Sequence, residues 1–388
     1  MADLRQAFDE SYYRLMGGGV SIADKGDSFF NRFYQKFTDA SPEVKGKLAN
    51  TDFAEQVNMR ILLSIAFCLL MPDIAVAADS YTVPRTEHGQ PDLQGIWTNA
   101  TITPLQRPRN LGDQRAYTAE EAMGLEATAT QSEYEKTLPL DAERTAPEAG
   151  SRVGQNADFD FYGSYTNLAN YGGEYRTSLI VKPADGRWPH VENYSALDHW
   201  GQQRARGLDP FDGPEGRPSG ERCLDRGLLL SLARIVPYNA NYQIVQNRDY
   251  VLIHAEVGHD SRIIKLSGDY FPGDFNHWHG DSVGHWEGDT LVVESRNFRP
   301  EQSSGFVRMT DNITVVERFT RVTENAIEYS YELTDPTIYY TETVRVEMPL
   351  KQIPAEDHMY EYACHEGNYS LSSILAGARR AEADAVDP

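Results

Sequence analysis

Residues of the right type and spacing for chemistry begin on the apolar run 250–256, where His254 and Glu256 alternate. An extended backbone there puts an imidazole and a carboxylate on one face, and Arg262 follows on the next such run. An acid, a base and an anion clamp of this kind suit proton transfer on a molecule held inside a barrel. Glu317 and Arg318 are adjacent on a later run and must face opposite sides, so one points inward, and Glu317 is the carboxylate of the two. For each of these residues the alternative is a place in a cross-strand ion pair on a solvent face.

A second group lies at 277–289, where His277, His279 and His285 crowd with Asp281, Glu287 and Asp289. Asp281 and His285 are its acid–base candidates. His277 and His279 share a face if extended and so offer two imidazoles to a divalent cation such as zinc; otherwise no cofactor is assigned. Gly280, Ser282 and Gly284 spell the G-x-S-x-G of a serine-hydrolase elbow, with Asp335 and His358 or His365 following in order. An elbow needs a strand in and a helix out, whereas Ser282 is followed by a turn and then a strand, so it ranks last among the candidates. A third group is His365 with Glu361 and Glu366 beside Cys364. A Cys223–Cys364 bridge would draw Glu221 and Arg222 to it.

The elements that must position these residues are strands. Runs at 242–246, 250–256, 262–266, 290–295, 313–322, 326–333 and 339–348 are β-branched and aromatic, separated by turns such as Asn247-Arg248-Asp249. No helix long enough for a crossover intervenes, so the reading is a mainly β protein, an antiparallel meander closing into a barrel or curved sheet. A strand is also expected at 175–181 and an extended segment leads to Ile96 and Trp97. Helices are few: 118–136, capped by Thr118 with Glu121 three residues on, and a short one at 370–380. Residues 137–161 and 193–222 read as long irregular loops.

The 388-residue chain carries 36 basic against 58 acidic residues, a net charge of -22, so nucleic acid is excluded as a partner. The segment 59–78 opens with Met59-Arg60, runs apolar to Met71, breaks at Pro72 and ends in Ala75-Val76-Ala77-Ala78. That is the pattern of a secretory signal. Its apolar core covers about 11 residues against the roughly 20 needed to cross a bilayer, so no stable membrane span is expected in the mature chain. Residues 1–58 then form a short helical segment, 59–78 the signal and 79–388 the β-rich functional domain. Of three cysteines Cys68 would leave with the signal, and Cys223 and Cys364 are expected to pair in an oxidising periplasmic or secreted setting.

Two resemblances add to this. Residues 28–56, with an aromatic stripe of Phe29, Phe30, Phe33, Tyr34 and Phe37, resemble the front of a truncated bacterial globin. The patterns PDLQGIW at 91–97, RTSLIV at 176–181, GDSVG at 280–284, WEGDTLVV at 286–293, Glu317-Arg318 and EYACHEGNY at 361–369 resemble a family of secreted bacterial proteins over 84–379. The resemblance implies a lipocalin-like or related barrel and brings no reaction with it. The expected function is binding, and transformation by acid–base chemistry, of a small apolar or aromatic molecule, with a carrier or a metal-dependent hydrolase as alternatives. Nothing in the sequence speaks to oligomeric state. The exported form is expected to begin near Ala78 or Asp79, which N-terminal sequencing checks; a start at Met1 would refute the signal.

Overall fold

The computed structural model describes residues 81–136, 166–189, 203, 205–224, 240–272, 275–299, 307, 310–335, 343–354 and 357–386. The chain divides into two units, Met1–Asp79 and Ser80–Pro388, and all described residues belong to the second. The globin-like and signal-like segments therefore lie outside the described residues.

Nine strands close into a barrel: β1 (Gly95–Thr98), β6 (Asn241–Gln246), β7 (Tyr250–Ala255), β8 (Ser261–Lys265), β9 (Asp281–Glu287), β10 (Thr290–Arg296), β11 (Thr314–Thr323), β12 (Ala326–Thr334) and β13 (Val344–Gln352), with β13 returning to β1. β5 (Ile180–Lys182) pairs with β13 further along the edge that β1 uses, and β2 (Ala116–Tyr117), β3 (Asn170–Tyr171) and β4 (Glu174–Arg176) make a small separate sheet. Two helices, α1 (Ala119–Lys136) and α2 (Tyr369–Val386), complete the described regular structure apart from short 3-10 turns. The mainly β barrel expected from the sequence is thus present.

Around the ring, its strand pairing departs from antiparallel at one place. Strand direction alternates around a ring of antiparallel pairs, so a closed barrel with an odd number of strands must contain a parallel pair. Here β8 and β9 are that pair, with Ile264 beside Ser282 and Lys265 beside Val283. Parallel neighbours need a crossover of about a dozen residues or more rather than a hairpin, and the chain from Lys265 to Asp281 supplies it. The expected turn before residue 290 is instead preceded by the full strand β9.

Three smaller expectations change. The run 175–181 is broken into β4 and β5, because Thr177 Oγ1 donates to the carbonyls of Gln114 and Arg115 and Ser178 Oγ to that of Ile180, which competes with a continuous ladder. Of the run at 339–348, residues 339–342 lie outside the described residues, and the strand Val344–Gln352 runs four residues past the expected end. α2 continues past residue 380, where Arg379–Glu382 and Arg380–Asp384 pairs support another turn. α1 has the expected start: Thr118 N donates to Glu121 Oε2 at 2.8 Å and Glu121 N to Thr118 Oγ1 at 3.2 Å.

Register decides which side chains enter the barrel. Trp97 lies opposite Tyr242, Ile253 opposite Arg262, Leu291 opposite Trp286, Ser295 opposite Ser282 and Phe319 opposite Tyr329. Trp97, Tyr242, Phe319, Tyr329 and Tyr331 are all fully buried, and they pack with Ile244, Val293, Val346 and Met348 in one cluster. A barrel of about eight strands is just wide enough for side chains to fill it, and these large residues do so. Within that packing Arg262 meets Glu317 through two hydrogen bonds, Nη1 to Oε2 at 2.8 Å and Nη2 to Oε1 at 3.0 Å. Tyr329 donates its hydroxyl to Glu317 Oε1 at 3.0 Å. Burial, and then the Glu317 charge, push the Tyr329 phenol well above its ordinary 10, so it stays a donor.

Outside the barrel, Arg176 binds Glu347 of β13 with Nη2 to Oε2 at 2.6 Å and so fastens the small sheet. Cys223 and Cys364 form a disulfide with Cα atoms 5.7 Å apart, and Asn368 beside it donates to the Glu221 carbonyl at 2.8 Å. The expected pairing of distant segments is therefore met.

Removing one partner of a desolvated ion pair leaves an uncompensated charge, whereas replacing both by apolar groups does not. Glu317→Leu alone is expected to cost about 3–5 kcal/mol in urea denaturation. Arg262→Met combined with Glu317→Leu is expected to recover most of that loss.

Candidate functional site

Outside the filled barrel, the outer face of β6, β7 and β8 is a place where a molecule fits. Outward residues pair across β7 and β8 as Tyr250 with Lys265, Leu252 with Ile263 and His254 with Ser261. The crossover between β8 and β9 returns above this floor, and together they enclose a cleft of about 780 Å³ lined by Leu252, Ser261, Ile263, Phe271, Trp278 and His279 among others. That is within the range of clefts that hold small organic ligands. Ile263 is 57% exposed and Phe271 53%, and Val245 and Tyr250, also exposed, line the same cleft. Grouped exposed apolar residues mark an interaction site more often than a scatter of single residues does.

Ion pairs and packing hold the crossover down. Lys265 Nζ lies 3.0 Å from Asp281 Oδ1 and donates to the Asp269 carbonyl at 2.9 Å, which stitches the two ends of the crossover together. The same ammonium sits 3.8 Å above the Phe271 ring, and Phe271 N donates to Asp281 Oδ2. Tyr270 donates to Glu294 Oε1 at 2.8 Å and stacks under Arg296. At the far end His277 N donates to Asn297 O at 2.8 Å and Arg299 N to His277 O at 3.0 Å. Gly280 then turns the chain into β9 with φ +71°, and a Cβ there would stand 2.6 Å from the Phe298 ring, so only glycine fits.

One end of the cleft is polar. His279 Nε2 lies 3.5 Å from Asp260 Oδ2, and His254 Nδ1 is 3.0 Å from Ser261 Oγ. The hydrogen bond from His279 holds the Asp260 carboxyl below its ordinary value near 3.8; partial burial opposes this, and the imidazoles of His279, His259 and His254 add to it. An imidazole oriented by a carboxylate and facing an apolar cleft is suited to taking up or delivering a proton.

The residues singled out from sequence are distributed over several places. Arg262 and Glu317 are together, but inside the barrel as a packed pair with Tyr329. His254 shares their strand region yet faces outward to Ser261, so it does not converge with them. Glu256 is buried just past β7, where it accepts from Tyr360 N at 2.8 Å and Asn241 Nδ2 at 2.6 Å and ties the C-terminal segment to β6. Asp281 pins the crossover. His285 is exposed on β9 with Nε2 3.2 Å from Glu287, which in turn pairs with Arg318 at 2.9 Å. His365 lies exposed in the 3-10 turn next to the disulfide. Ser282 is buried within the barrel against Ser295 Oγ at 2.8 Å, and a turn and strand follow it, so the elbow geometry is absent. His277 packs between the Phe271 and Phe275 rings at 5.2 and 4.6 Å, while His279 is turned to Asp260. Among the described residues no three His, Cys, Asp or Glu side chains gather as a metal site.

Asp260, Ser261, Leu252 and Ile263 were not singled out by spacing. The signal for them was present: Val251-Leu252-Ile253 and Ile263-Ile264 are apolar on consecutive positions, whereas a strand with one face in water alternates. Apolar residues on both faces announce a second covered or binding surface.

Comparison with protein-family models and with curated proteins finds no match.

A carboxyl held low in the folded state stabilises the fold above its unfolded value, and that contribution fades as pH falls through the folded value. Asp260→Asn is therefore expected to lower stability at pH 7, by a difference that shrinks as the pH is lowered below 3.8. Urea denaturation of both proteins across a series of pH values checks this.

Proposed function

We propose that this is an exported barrel protein that takes a small apolar or aromatic molecule into the cleft over β6, β7 and β8 and acts on it by acid–base chemistry. A cleft lined by half-buried Leu252, exposed Ile263 and the rings of Phe271 and Trp278 is the observation that carries the reading. Apolar side chains that are half in water gain about 25 cal/mol per Å² when a ligand covers them, which favours an aromatic body of matching width. The polar end supplies the chemistry: His279, steadied by Asp260, meets whichever ionisable hydrogen of the ligand lies at that end. Export is supported by the Cys223–Cys364 bridge, since such bonds persist in oxidising compartments. No helix among the described residues is long and apolar enough to cross a membrane. We further propose membership of the secreted bacterial family that the 84–379 patterns resemble.

A carrier with no turnover would use the same floor but not the imidazole. Titration with 2-naphthol and a panel of small aromatic alcohols, followed by Trp fluorescence and calorimetry, separates the possibilities. Ile263→Asp and Leu252→Asp are each expected to weaken binding at least about tenfold, a loss of about 1.4 kcal/mol. His285→Asp, on another outer strand, should leave it unchanged. Equal affinity in all three variants would overturn the cleft as the binding site. His279→Ala is expected to keep binding and lose turnover; turnover retained in it would remove the imidazole from the mechanism.

A further inference from the structure

We propose that Ser261 is a nucleophile with His254 as its base, which would make the cleft an acyl-transfer site for esters of small apolar or aromatic alcohols. This rests on the cleft reading above for the ligand's apolar body, and it adds the reactive bond.

The observations come from one stretch of the β7–β8 ladder. His254 and Ser261 are directly opposed in register, and their side chains meet at 3.0 Å between Nδ1 and Oγ, the separation of an activated hydroxyl and its base. Ser261 is exposed and lines the cleft, so an electrophile can reach it. The neighbouring outward pair, Leu252 with Ile263, is one repeat along each strand, about 7 Å away. An aromatic group resting there places an attached carbonyl over Ser261. The next residue back is Asp260, which holds His279, so a second imidazole stands at the same end of the cleft. Ser282, the serine of the G-x-S-x-G pattern, has none of these properties: it is 2% exposed and bonded to Ser295.

The chemistry closes on these groups and water. Ser261 Oγ attacks the ester carbonyl carbon while His254 Nδ1 takes the hydroxyl proton. The bond from carbonyl carbon to the alcohol oxygen breaks, and the same proton passes from His254 to the departing alkoxide, leaving an ester on Ser261. Water then adds to that ester with His254 again accepting a proton. The bond to Ser261 Oγ breaks, Oγ regains its proton, and a carboxylic acid leaves.

A fluorophosphonate probe followed by peptide mass mapping, together with 4-nitrophenyl benzoate hydrolysis, tests the proposal. One adduct on Ser261 is expected, with a burst of nitrophenol. Ser261→Ala should abolish both, and His254→Gln should slow labelling about a hundredfold, at the lower end of general-base effects. Ser261→Ala sits on an exposed strand position and is expected to fold as the parent does, which urea denaturation checks. Binding of 2-naphthol without an adduct on Ser261, or hydrolysis that survives Ser261→Ala, overturns the nucleophile and leaves the cleft reading standing. An adduct on Ser261 without naphthol binding upholds the nucleophile and overturns the ligand class.

Discussion

A ring of nine strands cannot alternate in direction all the way round, and that parity rule shapes the rest of the molecule. The one parallel contact it requires falls between β8 and β9. A parallel contact cannot be made by a tight turn, so the chain leaves the barrel after Lys265 and comes back at Asp281. The excursion passes over the outer face of β7 and β8 and carries Phe271, His277, Trp278 and His279 with it. The cleft is thus a by-product of closing an odd barrel. Its two ends are joined by the Lys265–Asp281 ion pair, which lets a long connection keep a defined path.

The interior follows a different logic. Nine strands enclose a space that aromatic and branched side chains fill, leaving the barrel as a core rather than a container. Into that core the fold admits one charged pair, Arg262 with Glu317, and satisfies the carboxylate further with the Tyr329 hydroxyl. Desolvating both charges is costly, and the bidentate geometry with a third donor offsets much of that cost. The pair links β8 to β11 across the barrel, strands that are not neighbours, and so specifies which strands face each other.

Much of the fold was legible in the residues. The β-branched runs at 242–246, 250–256, 290–295 and 326–333 became strands within a residue or two of their expected limits, because alternation and turn chemistry are local properties. The Thr118–Glu121 capping box was equally local. The strand Asp281–Glu287 was not among the expected runs, because its glycine, histidine and acidic residues give no β-branched stretch. Gly280 and Gly284 are explained instead by the Phe298 ring and the Ile264 methyl that a Cβ would strike. For the site, side-chain identity was informative and partnership was not. Arg262 and Glu317 met, whereas His254, Glu256, Asp281, His285 and His365 went to different surfaces.

The sequence alone determined the β class, most strand positions, the capped helix and the cysteines that would pair, since each depends on composition, on two-residue periodicity or on a count. Only the tertiary structure decided that the barrel has nine strands, that its inside is full and that its cleft is outside. Those outcomes depend on the order and direction in which strands meet. A histidine two residues from a glutamate looks the same in sequence whether the strand continues or ends between them. Here β7 ends at Ala255, so His254 points outward to Ser261 and Glu256 turns under the C-terminal segment.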